Sequence, residues 1–109
     1  SKPLPDYPRF PCVVPAWDNS SRRQDNATIF VDSKPELYEE WLERVCIDLL
    51  KRKLPEPIVF LNAWNEWAEG CHLEPDRLWG HAYLEATQRA LQTAARRETA
   101  DQKNAGLTL

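Results

Sequence analysis

The clearest hydrophobic pattern lies in residues 38–49, where apolar side chains recur every three or four positions. This spacing places them on one face of a helix; they are Tyr38, Trp41, Leu42, Val45, Cys46 and Leu49. Residues 33–36 read SKPE, the S-x-x-E form of a capping box with proline in the first turn. Basic residues 51–53 suit the end of a helix, and Pro55 stops it. The pattern therefore predicts a helix from about residue 34 to residue 53.

Two apolar runs predict strands on either side of this helix. The first begins at Cys12 and ends near Trp17, and the second spans Ile58 to Leu61, a run typical of a strand buried on both faces. A brief extended piece is expected over residues 27–31. A second helix, with Asp76 as its cap, is predicted from an apolar face made of Trp79, Ala82, Tyr83, Ala86, Ala90 and Ala94.

The predicted order of strand, helix, strand, helix defines an α/β fold of the βαβα type. Two strands joined through a helix run parallel in one sheet. Two parallel strands and two helices make a poor free-standing domain, because such sheets need both faces covered. The chain is therefore expected either to be a fragment of a larger α/β fold or to self-associate. The tryptophans and the tyrosine on the helical faces (Trp41, Trp79 and Tyr83) are expected in the core.

Composition divides the 109 residues into three segments. Residues 1–11 carry four prolines and predict an extended entry segment, residues 12–97 hold the βαβα part, and the polar residues 98–109 are expected to fray. A formal charge of −3 argues against nucleic-acid binding. No apolar run approaches the roughly 20 residues of a membrane span, and no export leader is recognised.

Three cysteines without a CxxC pair are expected to be free thiols, which favours a reducing compartment and a cytoplasmic location. His72, with Cys71, Glu69 and Glu74 near it in sequence, matches no metal-binding template, so no metal and no cofactor are predicted.

The candidate chemistry lies in residues 62–70, directly after the second predicted strand. Ligands of parallel α/β folds bind at the carboxyl ends of the strands. Glu66 and Glu69 are three residues apart, so a helical turn or tight loop would direct both to one side. Paired carboxylates serve glycosyl transfer, one as proton donor and the other as base or nucleophile. The competing interpretation of such a pair is a solvated helix face.

Amide and indole side chains surround these two acids. Asn62 and Asn65 can donate and accept hydrogen bonds to sugar hydroxyls, and Trp64 and Trp67 can offer flat faces to a pyranose. Trp67 is expected nearer the substrate, and Trp64 is expected to pack against the protein.

Three residues at the end of the first strand would face the same site: Trp17, Asp18 and Asn19. Substrate contact competes here with a turn in which Asp18 and Asn19 cap their own backbone. The basic pair Arg22 and Arg23 would suit donor phosphates, although a solvated pair is the simpler interpretation.

Residues 60–76, which read FLNAWNEWAEGCHLEPD, and residues 79–85, WGHAYLE, resemble the C-terminal signature of the WbsX-type glycosyltransferases. Residues 14–20, VPAWDNS, resemble a second motif of that family. Such proteins occur in bacterial loci for O-antigen and rhamnan-type polysaccharides. The NEWxEG core is also similar to that of glycoside hydrolase family 99, the endo-α-mannosidases, which are β/α barrels.

The resemblance implies that the chain forms the last two βα units of a TIM-type (β/α)8 barrel. Glu66 then corresponds to the carboxylate that acts as a base on the sugar 2-hydroxyl. Glu69 corresponds to the general acid and base at the glycosidic oxygen. The chain departs from the hydrolases at Ala68, where they tend to carry histidine, so transfer and hydrolysis both stay open.

The sequence thus predicts the C-terminal catalytic part of an enzyme that makes or cleaves glycosidic linkages in a bacterial surface polysaccharide. The parent protein is expected to be the active enzyme, and the isolated chain to be inactive. The alternative is a non-catalytic module that binds a glycan or another partner through the same tryptophan and asparagine side chains.

Overall fold

The computed structural model describes residues 7–21, 23 and 25–107. Residues 1–6 of the predicted entry segment, and Arg22, lie outside this part of the chain. The elements in chain order are β1 (Cys12–Val13), α1 (Pro35–Lys51), β2 (Phe60–Leu61), β3 (Asn65–Glu66), a 3-10 helix (Trp67–Glu69), β4 (Cys71–His72) and α2 (Ala82–Leu107). The fold therefore contains the predicted βαβα order, with a short ribbon of β3 and β4 inserted before α2.

The parallel pairing predicted for the two main strands is confirmed. β1 pairs with β2 in the register Cys12–Phe60 and Val13–Leu61. The pairing is extended at its ends, since the Phe60 N–H donates to Pro11 O at 2.9 Å and the Asn62 N–H donates to Val13 O at 3.0 Å.

Both strands are shorter than predicted, and β2 is not buried on both faces. Ile58 and Val59 lie outside the strand, and Phe60 is 56% exposed. The physical reason is that, among the described residues, β2 pairs with β1 alone and the Phe10 ring meets the Phe60 ring only edge-on, with centroids 6.3 Å apart. Val13 of β1, by contrast, is fully buried beneath the helices.

The core lies between the two helices. From α1 it takes Tyr38, Leu42, Cys46 and Leu49; from α2 it takes Tyr83, Ala86, Ala90 and Ala94. The alanines let the helix backbones approach closely, and the Tyr38 hydroxyl bonds the Thr87 hydroxyl at 2.7 Å across the interface. The predicted inner faces of both helices are thereby confirmed. Trp41 is the exception, because it is 37% exposed and lies at the edge of the interface.

The ends of both helices differ from prediction. α1 has Lys34 as its N-cap without any side-chain cap, and the Ser33 hydroxyl bonds Phe30 O instead, so the predicted capping box is wrong. α2 begins at Ala82 rather than after Asp76, whose carboxylate accepts the Trp79 N–H at 2.6 Å and closes a separate turn. Trp79 therefore packs on the core from this turn, not from the helix.

The C-terminal segment is helical where fraying was predicted. α2 runs without interruption to Leu107, past the last buried alanine at position 94. Residues 95–103 are rich in alanine, arginine, glutamate, glutamine and lysine, which have high helix propensity. Propensity therefore continues the helix where burial no longer supports it.

Two further sequence expectations concern the whole chain. All three cysteines are free, as predicted, with Cys12 exposed and Cys46 and Cys71 buried. Within the described ranges, neither helix combines the length and apolar character that spanning a bilayer requires.

Candidate active site

The carboxyl ends of β1 and β2 bring the two predicted site segments together. Because the strands are parallel, the loop after β1 and the segment after β2 leave the sheet at the same edge. The Asp18 N–H donates to Glu69 O at 2.7 Å, and the Ser21 hydroxyl donates to Ala68 O at 3.0 Å. The expectation that residues 17–19 meet the acidic segment is therefore confirmed.

A glycine makes this approach possible. Gly70 has φ +56°, and its N–H closes the 3-10 turn by donating to Trp67 O at 3.0 Å. A Cβ at this position would lie 3.1 Å from Asp18 Cβ and 3.3 Å from Asp18 N. The turn at Gly70 therefore both reverses the chain and leaves room for the neighbouring loop.

The two acids lie in different elements, because Glu66 ends β3 and Glu69 ends the 3-10 helix that connects β3 to β4. β3 and β4 pair antiparallel, with Asn65 opposite His72 and Glu66 opposite Cys71. Directly opposite residues of such a pair point to the same face, and successive residues point to opposite faces. The ribbon thus has one face with Glu66 and Cys71, which we call the acid face, and another with Asn65 and His72, which we call the amide face. Glu69 ends the 3-10 helix.

Cys71 holds the acid face against the strand ends. Its side chain is fully buried, and its thiol donates to Asn62 O at 2.8 Å. Backbone groups of Ala63, after β2, and Ala16, after β1, also hydrogen-bond the sulfur. The Asn62–Ala63 peptide bond is cis. One thiol therefore contacts both strand ends, a role that the prediction of a free thiol did not include.

Both carboxylates act electrostatically on this thiol. Burial is the main cause that raises the pKa of Cys71. The negative charges of Glu66 and Glu69 raise it further, against the hydrogen bonds from the backbone. Glu66, which pairs with Cys71 across the ribbon, lies on the same face as the thiol. The position of Cys71 in the sequence could have indicated this role, because Cys71 directly follows Gly70, the turn glycine of the acidic motif.

The loop after β1 is held by its own polar side chains. Asp18 accepts the Ser20 N–H at 2.9 Å and Asn19 accepts the Thr28 N–H at 2.7 Å, so the predicted turn is confirmed. Hydrogen bonds from the Ser20 side chain and backbone lower the pKa of Asp18 below its usual value. Asp18 also forms an isolated antiparallel bridge with Ile29, within the extended piece expected over residues 27–31, and the Phe30 N–H donates to Trp17 O at 2.8 Å.

The same loop lines an open cleft of about 300 Å³. Trp17, Asn19, Arg23 and Glu69 form its walls. This places two of the predicted substrate-contacting residues, and the described member of the basic pair, beside the proposed acid. The cleft is mostly polar in character and could receive hydroxyl groups.

The two tryptophans of the motif are both half-exposed, Trp64 at 52% and Trp67 at 48%. Trp64 was expected to pack against the protein, but about half of this residue is exposed to solvent. The Trp67 ring stacks on His72 with centroids 3.7 Å apart and a 19° interplanar angle. Its indole N–H donates to Glu74 at 3.3 Å.

His72 is fixed on its other side by an acid. Its Nε2 lies 2.8 Å from Asp76 Oδ2, and both side chains are 17% exposed. Burial alone would raise the pKa of Asp76, but hydrogen bonds from Trp79 N–H and His72, and the charge of His72, lower it overall. Across the described part of the chain, no group of three or more potential ligands is placed to hold a metal ion.

The fold and site together define an α/β unit with acids, amides and tryptophans at the carboxyl edge of its parallel strands. The sequence profile described as "Glycosyltransferase WbsX" matches residues 1–87, and the chain belongs to that family. The resemblance of the motifs to the WbsX-type glycosyltransferases is thereby confirmed.

Two curated relatives are similar over most of the chain. Both are the uncharacterized protein WxcX of Xanthomonas campestris pv. campestris, one from strain B100 and one from strain ATCC 33913. Each is 46% identical over 94 residues, which cover 85% of this chain and 14% of the relative. The chain thus spans about a seventh of the length of these relatives. No solved structure matches it.

Proposed function

We propose that this chain is the C-terminal catalytic part of an enzyme that transfers or cleaves sugars in a bacterial surface polysaccharide. Membership of a glycosyltransferase family supports a carbohydrate-active role. The observation that carries the proposal is the contact between the two strand-end segments, Asp18 N–H to Glu69 O at 2.7 Å. It brings the acidic motif and the tryptophan-asparagine loop to one edge of the sheet.

In this proposal Glu66 and Glu69 are the acid and base. Glu69 borders the polar cleft with Trp17 and Asn19, where a glycosidic oxygen would lie. Glu66 projects from the acid face of the ribbon, where it would act on the sugar ring itself. Two carboxylates on one side of a substrate can divide proton donation and base catalysis between them. The rest of the substrate contacts would come from Asn62, Trp64, Asn65 and Trp67.

The architecture that would complete this site is a (β/α)8 barrel, of which β1 and β2 would be the last two strands. The exposed outer face of Phe60 supports a further neighbour beside β2 in the parent protein. The likeness of the acidic core to family 99 hydrolases belongs to the proposal as well. The family description favours transfer, and Ala68 in place of their histidine points the same way. The three free cysteines fit a cytoplasmic enzyme.

Substitution of the two acids tests this proposal. In the full-length protein, Glu66→Gln and Glu69→Gln keep the side-chain shape and remove the charge. Each should reduce sugar transfer or hydrolysis at least about 100-fold, as expected for loss of an acid or base group. The melting temperature should change little, because Glu66 is exposed and Glu69 is only partly buried.

Glu56→Gln provides the matched control, since Glu56 is an exposed residue of the α1–β2 connection. Activity is measured as labelled sugar released from, or added to, polysaccharide prepared from the bacterium that encodes the protein. Near-normal turnover by either variant of the acid pair would remove that residue from the mechanism.

The second candidate is a glycan-binding module without turnover. It is favoured by the open surface around Trp64 and Trp67, which are both about half-exposed in this chain. Glycan binding by the full-length protein with no change in the glycan, under conditions where the acid variants bind equally well, would select this candidate.

A further inference from the structure

The Trp67 ring is held by two side chains that the acid pair does not involve. His72 covers one face of the indole with ring centroids 3.7 Å apart, and Glu74 accepts the indole N–H. Trp67 nevertheless remains 48% exposed. The exposed surface therefore belongs to the opposite face and the far edge of the ring.

His72 is itself fixed from behind. Its Nε2 is 2.8 Å from Asp76 Oδ2, while Asp76 Oδ1 accepts the Trp79 N–H at 2.6 Å. The turn over residues 76–80 is closed by the Gly80 N–H to Asp76 O bond at 2.9 Å. A rigid turn thus fixes Asp76, which fixes the imidazole, which in turn fixes the orientation of Trp67.

This assembly lies on the amide face of the ribbon, with Asn65 opposite His72. Glu66 and Cys71 project from the other face. Asn65 is exposed, pairs with the histidine that stacks on the Trp67 ring, and can both donate and accept hydrogen bonds. A flat apolar ring flanked by an amide suits a pyranose, whose C–H face stacks while its hydroxyls bond.

We propose that the substrate contacts of Trp67 and Asn65 form a sugar-binding subsite on the amide face, across the ribbon from Glu66, and that His72 is the positioning residue that holds its platform. This inference rests on the proposed carbohydrate function. A ring fixed before binding loses less side-chain entropy when a ligand arrives, so His72 contributes to affinity without touching the sugar.

Charge distinguishes this ligand from a nucleotide. A nucleobase could also stack on an indole, but Glu74 accepts the indole N–H and Asp76 lies behind the stacked His72. Carboxylates at this spacing repel the phosphates of a nucleotide and leave a neutral sugar unaffected. The subsite therefore takes a neutral pyranose of the glycan.

The test follows Trp67 directly in the full-length protein labelled with 5-fluorotryptophan. The Trp67 fluorine signal is assigned as the one that Trp67→Phe removes. α-Mannotriose, a rhamnose trisaccharide and uridine monophosphate are the probes. We expect at least one oligosaccharide to shift this signal and the nucleotide to leave it unchanged.

Variants of His72 separate positioning from a general effect. His72→Leu removes both the stacked ring and the bond to Asp76, and it should weaken oligosaccharide binding about 2- to 10-fold, the range for loss of one aromatic pair. His72→Phe keeps a ring against Trp67 and should give an intermediate loss. His81→Leu, at an exposed histidine, is the control and should bind as the wild type does. If His72→Leu unfolds, the oligosaccharide affinity of His72→Phe is compared with that of the wild type instead.

The inference is overturned if a folded His72 variant binds like the wild type, if no oligosaccharide shifts the Trp67 signal, or if the nucleotide does so instead. These outcomes are independent of turnover. If the Glu66→Gln and Glu69→Gln variants lose turnover while the His72 variants bind oligosaccharide as the wild type does, the proposed function is supported and this subsite is not. If those acid variants keep full turnover while oligosaccharide still shifts the Trp67 signal, the subsite is supported and the catalytic role of the two acids is not.

Discussion

Substitution of Gly70 by alanine tests whether the contact between the two strand-end loops holds the site together. Gly70 has φ +56° and Gly80 has φ +57°, so alanine meets the same backbone penalty at both. The surroundings differ. A Cβ at position 70 would lie 3.1 Å from Asp18 Cβ, 3.3 Å from its N and 3.4 Å from its O, whereas nothing lies within 4 Å at position 80.

The expected magnitudes follow from this difference. Left-handed backbone costs a residue with a Cβ about 1–2 kcal/mol, and Gly80→Ala should lose only this amount of unfolding free energy. Gly70→Ala also forces Asp18 to move, although its N–H is bonded to Glu69 O at 2.7 Å. Overpacking of this kind costs about 1–3 kcal/mol more. The total for Gly70→Ala is therefore about 2–5 kcal/mol.

Urea unfolding of both variants, followed by tryptophan fluorescence, measures the difference in unfolding free energy. Glycan turnover by the full-length protein provides the second measurement, because displacement of Asp18 also displaces the backbone of Glu69. Gly70→Ala should lose activity as well as stability, whereas Gly80→Ala should keep its activity. Equal losses of stability in the two variants, with activity retained in both, would show that the Asp18–Gly70 approach contributes nothing to the site.

Three further predictions concern the core, the thiols and association. Leu42→Ala should lower the unfolding free energy by about 3–5 kcal/mol, because Leu42 is fully buried, while Leu37→Ala, at a position 53% exposed on the same helix, should change it by less than about 0.5 kcal/mol in urea titrations. Cys12 is exposed and should react with a thiol reagent first. Burial raises the pKa values of Cys46 and Cys71, so these thiols should react more slowly and their reaction should accelerate as pH rises. Equal rates for all three cysteines would contradict the burial pattern. The isolated chain should self-associate through its open strand edges in sedimentation experiments, and a stable monomer at all concentrations would oppose this.

The sequence was sufficient to predict the helical faces and the parallel pair. Alanines at positions 86, 90 and 94 can only share one face of a helix, and a helix between two strands requires parallel pairing. Strand length and helix caps could not be predicted in the same way. Phe60 is exposed because, in the described residues, its strand pairs with β1 alone, and the Ser33 hydroxyl bonds Phe30 O because of the loop conformation before α1. The first depends on elements distant in sequence, and the second on a backbone conformation that hydrophobic periodicity does not specify.

The site was predicted in its location but not in its internal support. The rule that parallel strands present their carboxyl ends at one edge was enough to bring Asp18 to Glu69. The roles of Cys71 and His72 depend on the register of the ribbon, which the turn at Gly70 sets. Shifting that register by one residue would exchange the faces of both side chains. A sequence pattern that places acids three residues apart contains no information about this register.

The register places neighbouring side chains of the acidic motif in two different surroundings. Cys71 and His72 are neighbours in sequence, yet they lie on opposite faces of β4, one against the strand ends and the other beneath Trp67. The acid face is therefore tied to the sheet through the thiol, and the amide face is tied to the turn at Asp76 through the imidazole. In the proposed function, Cys71 would support the acids and His72 would support the sugar platform, from adjacent positions on the same short ribbon.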